Sequence, residues 1–222
     1  MILLIPYEVR TLYQRNPWAN LALILACVVM FLALFFDWAS EEVIDNMVLS
    51  EWSPVQLLGY QFLHGGWIHL IGNMVFLFVF GNAVCGVMNG WLYLGVYLLC
   101  GALAGAAHLA IDGGPAVGAS GSLCGIMGVY LAIYPQNRIH CFWFFLIRFG
   151  TFDLPGWLLI LTWFALDLLG AFRGGSQVAH WAHVGGTLAG FVIGLMLLKL
   201  RMVDLFDYDN PTVLDWFENR DE

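Results

Sequence analysis

Charge is scarce in this 222-residue chain. Eight Lys and Arg stand against 16 Asp and Glu, 11% of the residues in all. An ordinary soluble domain carries about a quarter, so there is too little charge to coat a water-exposed globule. A net charge of −8 with no basic stripe excludes nucleic acid as a partner. The cysteines (Cys27, Cys85, Cys100, Cys124 and Cys141) form no CxxC pair, give no disulfide framework and read as small buried hydrophobes. HExxH is absent too, which removes the zinc-metalloprotease reading. What remains is apolar: 61% hydrophobic residues, 10 Trp, 17 Phe, 25 Gly and a mean hydropathy of +0.79. Such a composition belongs to a multispanning membrane protein.

A helix needs roughly 20 mostly apolar residues to cross the hydrocarbon core. Six segments qualify, at 18–38, 67–82, 91–111, 120–134, 156–172 and 179–200. The first has no small-residue cleavage site and is expected to be retained rather than removed as a signal peptide. Between Pro135 and Pro155 an apolar stretch too short to cross is bracketed by Arg138 and Arg148, and it reads as an interfacial hairpin or re-entrant piece. The chain thus divides into an N-terminal segment (1–17), a six-span core (18–200) and an acidic tail (201–222). Asp204, Asp207, Asp209, Asp215, Glu218, Asp221 and Glu222 make that tail, expected to be solvated and poorly ordered.

Six spans put both termini on one side of the membrane. Arg10, Arg15, Arg138, Arg148, Lys199, Arg201 and Arg220 then share that side and only Arg173 lies opposite. Basic residues stay cytoplasmic, so both termini are expected inside, and the loops at 41–51 and 112–118 face out.

Polar groups within spans are costly and mark functional sites. His69 and Asn73 in the second span, Ser120 in the fourth and His183 in the sixth all fall near the outward ends of their helices. One water-accessible pocket accounts for them. Ser120 follows the turn signals Asp112-Gly113-Gly114-Pro115 and opens a helix, where free backbone N–H groups can stabilise an oxyanion. Taken alone, it reads first as a helix cap or a small packing residue. Gly121, Gly125 and Gly128 follow it as a smooth stripe, and Gly186, Gly190 and Gly194 share the face of His183. If those faces meet, imidazole and hydroxyl come within reach, as a general base and its nucleophile require. By itself His183 reads first as a hydrogen-bonded structural residue. His69 and Asn73, spaced i, i+4, share a helix face and both offer oxyanion donors. His64, in the preceding turn, orders the loop or the pocket.

Together these segments resemble the rhomboid family of intramembrane serine proteases. The resemblance rests on H-x4-H-x3-N at His64, His69 and Asn73, G-x-S-G from Gly118 to Gly121, and A-H-x-G-G from Ala182 to Gly186, in the family's order on its second, fourth and sixth helices. It covers 18–200. It implies an all-α, six-transmembrane-helix rhomboid-like bundle of the compact bacterial type, without a seventh span or an appended soluble domain, seated in the inner (plasma) membrane. It also implies Ser120 as nucleophile and His183 as base of a dyad without a third acid. His69, Asn73 and the Ser120 backbone N–H would form the oxyanion hole, with His64, Gly118, Gly121, Gly185 and Gly186 in support. Many relatives carry Trp-Arg in the first outer loop, where Trp52 here is followed by Ser53.

The implied substrates are membrane proteins with a transmembrane helix, cleaved near the outer boundary after local unwinding. Residues between the second and fifth helices, among them Trp157 and Trp163, would gate lateral access; as lipid-facing aromatics they need no such role. No cofactor and no metal is expected. Rival readings are a proteolytically inactive rhomboid-like binder of membrane helices, and a metal or haem protein ligated by His64, His69, His108, His180 and His183. Asp167, the one acid near mid-span, is expected to pair with a polar group of a neighbouring helix, with a proton path or an aspartyl protease as alternatives.

Overall fold

The computed structural model describes residues 3–9, 15–145, 147–205 and 211–218. Arg10 and Arg220, and the tail acids Asp207, Asp209, Asp221 and Glu222, lie outside the described residues. Among the described residues, five helices are long and apolar enough to cross a membrane: α1 (Trp18–Phe35), a composite helix over Trp67–Cys85, α6 (Gly90–Ile111), α8 (Gly156–Arg173) and α9 (His180–Lys199). Two short helices, α2 (Glu41–Asp45) and α3 (Pro54–Gly59), lie in the first outer loop. The sixth expected span is α7 (Ser120–Ile133), with only 14 residues. At 1.5 Å per residue it rises about 21 Å, short of the ~30 Å hydrocarbon core. Shortness suits its place, because α7 packs against α6 and α9 and most of its residues are buried.

Glycines set how closely α7 approaches α9. A side chain on Gly190 would strike the Gly125 carbonyl, one on Gly186 the Gly121 carbonyl, and one on Gly128 the Thr187 carbonyl. The two small-residue stripes read from the sequence are therefore one interface, in which backbone meets backbone.

The second span is three pieces: α4 (Trp67–Phe76), a π turn (Leu77–Gly81) and α5 (Asn82–Cys85). A π turn disturbs the i→i−4 ladder and leaves a carbonyl in need of a donor. Buried Asn20 of α1 supplies it, its Nδ2 donating to the Leu77 carbonyl at 2.9 Å and to Asn82 Oδ1 at 2.8 Å. Tyr93 of α6 completes the knot, its hydroxyl donating to Asn20 Oδ1 at 2.7 Å.

The helical bundle carries an unexpected addition. Strand β1 (Leu3–Val9) pairs antiparallel with β2 (Arg138–Phe145), which pairs antiparallel with β3 (Arg148–Pro155), giving the order β1-β2-β3. The apolar stretch after Pro135 is thus a β-hairpin. Its partner is the N-terminal segment, in which a register shift between Pro6 and Glu8 accommodates a residue without an N–H. The hairpin is tied further by His140, whose Nδ1 lies 2.6 Å from Asp153 Oδ1.

The described part of the acidic tail is also docked rather than solvated. The Asp204 N–H donates to the Val87 carbonyl at 2.6 Å, and Arg15 pairs with its carboxylate. Val213 N–H donates to the Ala132 carbonyl at 3.0 Å, beside a buried Thr212. Thr212 and Asp215 bond reciprocally, as a capping box that starts α10 (Asp215–Glu218).

Candidate functional site

The segment before α7 is held on two sides. Leu49 and Ala116 exchange backbone hydrogen bonds of 3.0 and 2.9 Å, and Gly118 N–H donates to the Tyr60 carbonyl at 2.9 Å. His108 Nε2–H reaches the Gly114 carbonyl at 2.8 Å. The first outer loop, which lacks the Trp-Arg pair, is secured by Gln56 instead. Its Oε1 accepts the backbone N–H groups of Ser50 and Glu51, both at 2.8 Å.

Gly118 has φ of 128°, a conformation that only glycine adopts without strain. The turn it makes sends Ser120 into the first position of α7. The His69 ring lies over the same glycine, 2.8 Å from where a side chain would project, and Ser120 Oγ is 3.7 Å from that point. His69, Gly118 and Ser120 therefore border one space. Asn73, a turn further along α4, is buried with an Nδ2 that has no hydrogen-bond partner among the described residues. His64 sits beside His69 with ring centroids 5.2 Å apart, and its Nδ1 faces the Phe62 carbonyl at 3.3 Å. Burial, then the neighbouring His69, lowers the His64 pKa to about 4 despite the Phe62 contact, so its imidazole is neutral.

From α9, His183 reaches the serine: Ser120 Oγ donates to its Nε2 at 2.8 Å. The other ring nitrogen, Nδ1, donates to Asp167 Oδ1 of α8 at 2.9 Å. His180 Nδ1 donates to the same oxygen at 2.8 Å. A carboxylate only accepts, so the neutral tautomer of His183 that fits this contact carries its hydrogen on Nδ1 and its lone pair on Nε2. Asp167 thus does pair with neighbouring polar groups, and with two of them. The dyad implied by the family likeness has no third acid, whereas here a carboxylate stands behind the imidazole. Thr187 Oγ1 donates to the His183 carbonyl at 2.9 Å, and Gly185 backs onto Ala107 of α6.

The histidines do not gather round one point. His64 and His69 adjoin one another, His180 and His183 share Asp167, and His108 binds a loop carbonyl. Cys124, Asp167 and His183 are the one trio among the described residues able to hold a metal, with donor atoms within 4.8 Å of one another.

Tyr60, Gln61 and Thr187 carry no motif in the sequence, yet they shape the site. Gln61 is fully buried, accepts from Ser122 at 2.9 Å and donates to the Leu57 carbonyl at 2.8 Å, tying the first outer loop to α7. Tyr60 donates to the Gly101 carbonyl at 2.7 Å. Nothing in a lone Tyr-Gln pair announces such contacts. His180 is different, since its i, i+3 spacing from His183 places both on one helix face.

A family model for the Rhomboid domain matches residues 51–200. The chain is 31% identical over 159 residues to "Rhomboid protein 1, mitochondrial" of Saccharomyces cerevisiae, covering 66% of this chain and 43% of that protein. It is 27% identical over 172 residues to "RHOMBOID-like protein 5" of Arabidopsis thaliana, with 76% and 51% covered. Identity to "Presenilin-associated rhomboid-like protein, mitochondrial" of Mus musculus is 24% over 187 residues, with 82% and 45% covered. The chain spans about half the length of the curated relatives it matches. With several apolar membrane helices and a family domain that spans most of its length, this chain is a multi-pass membrane protein of the rhomboid family.

Proposed function

We propose that the chain is an intramembrane serine endopeptidase that cleaves transmembrane segments of other membrane proteins near the outer boundary. The observation that carries this reading is the 2.8 Å hydrogen bond from Ser120 Oγ to His183 Nε2. Nε2 takes the serine proton as Oγ attacks the scissile carbonyl carbon. The oxyanion that forms is met by the Ser120 backbone N–H at the helix start, by His69 and by the partnerless Asn73 amide. Collapse expels the amine, which takes the proton back from His183. Water, deprotonated by the same imidazole, then hydrolyses the acyl-enzyme ester and restores the hydroxyl.

The substrate is a membrane helix that must first unwind to expose its carbonyls. Trp163 packs on Phe76 at 4.7 Å and closes the seam between α8 and α4, which suits a lateral gate there. Both termini are assigned to the cytoplasmic side of a bacterial inner membrane. The pairing of β1 with the hairpin and of Arg15 with Asp204 supports a shared side for the two ends of the chain, because it gathers Arg15, Arg138 and Arg148 at one end of the bundle.

The test is labelling by a fluorophosphonate probe. Wild-type protein should label and cleave a model transmembrane substrate, and Ser120→Ala should do neither. Equal cleavage by both proteins, or no labelling of wild type, would overturn the reading in favour of a non-catalytic binder of membrane helices.

A further inference from the structure

Asp167 needs a reason to be where it is. It sits within the apolar span α8, and its side chain and those of His180 and His183 are only 20%, 20% and 15% exposed. A carboxylate at such a position is expensive unless its oxygens are bonded. Both imidazoles bond it, and through the same atom, Oδ1. His180 is itself seated on α8: its ring lies over Gly170, where a side chain would come within 2.5 Å of His180 Nε2.

We propose that Asp167 is a positioning residue that holds His183 in the Nδ1–H tautomer, with His180, bonded to the same oxygen, fixing the carboxylate. This rests on the Ser120–His183 reading above. The alternative tautomer would turn a lone pair on Nδ1 toward the carboxylate and present an N–H, instead of a lone pair, to Ser120 Oγ. With these side chains only 15–20% exposed, solvent screens that repulsion little. When His183 accepts the serine proton, the resulting imidazolium lies 2.9 Å from the carboxylate and is stabilised by it.

Asp167→Asn is the discriminating variant. It keeps the shape but removes the charge: with the amide oxygen toward the imidazoles the His183 imidazolium loses its counter-charge, and with NH2 toward His183 Nδ1 the wrong tautomer is selected. Fluorophosphonate labelling of Ser120 should slow by at least about 10²-fold, toward the ~10⁴ that the same change costs a serine-protease triad, with the melting temperature little altered. Labelling at the wild-type rate would overturn the proposal and leave Asp167 as helix–helix glue. A second measurement needs neither variant nor activity: ¹⁵N NMR of wild-type protein with labelled histidine should show His183 protonated on Nδ1. Protonation on Nε2 instead would overturn the proposal even if Asp167→Asn fails to fold. Failure of wild type to label, with Nδ1 protonated, would sink the protease reading while leaving the Asp167 tautomer lock standing.

Discussion

The carbonyl of Tyr60 accepts the N–H of Gly118 at 2.9 Å, so the end of the first outer loop and the turn that delivers Ser120 move as one piece. Gly118 at φ of 128° and the His69 ring above it leave no room for a side chain. Gly118→Ala should therefore displace His69 and rotate the start of α7. We expect labelling of Ser120 to fall by at least about 10²-fold, the scale of losing one oxyanion donor. Labelling within a factor of three of wild type would show that this turn does not set the site.

Trp163 fills the seam to Phe76 and Phe80, at 4.7 and 6.3 Å between ring centroids. Trp163→Ala removes that plug without touching Ser120 or His183. Under the protease reading, cleavage of a transmembrane substrate should rise several-fold while probe labelling stays level. Unchanged cleavage would place substrate access elsewhere.

Asn20 answers the carbonyl that the π turn frees, as well as the side chains of Asn82 and Tyr93. Asn20→Leu leaves buried polar groups without partners, each costing about 1–3 kcal/mol. Thermal unfolding in detergent should move down by several degrees, with probe labelling of the folded fraction retained. A melting temperature equal to wild type would mean that water replaces the amide.

His64 lies between Phe62 and α4, and its pKa is lowered to about 4 by burial and by His69. The unfolded chain binds its proton near pH 6.5. Between these values the unfolded state holds the extra proton, so folded stability is present above pH 6.5 and is lost as pH falls toward 4. The contribution is roughly 3 kcal/mol by the size of the shift. Chemical unfolding from pH 7 to 4 should show a shallower loss in His64→Gln than in wild type. Parallel curves would assign the acid sensitivity to other groups.

The polar residues of the candidate site, Ser120, His183, His69 and Asn73, were legible because each interrupts an apolar run, although singly Ser120 and His183 also read as a cap and a structural residue. The spacing of Gly121, Gly125, Gly186 and Gly190 marked two smooth helix faces, and in the structure these faces meet. Asp167 was visible as a mid-span acid, but its partners depend on the register of α8 against α9, which no local pattern encodes. The strand at Leu3–Val9 was not visible. It carries Pro6 and lacks clean alternation, and what makes it a strand is a partner at Arg138–Phe145. The π turn was hidden for a similar reason, since Asn20 that accommodates it belongs to another helix.

The sheet has a consequence in time. β1 is synthesised first, yet the strand it pairs with emerges only after α1, α4, α6 and α7 have been made. Until then its backbone donors and acceptors have no mates, and closure must bridge the most distant contact between any two strands. Pairing of Leu3–Val9 with the hairpin therefore cannot precede synthesis of the four helical spans that separate the two strands in sequence.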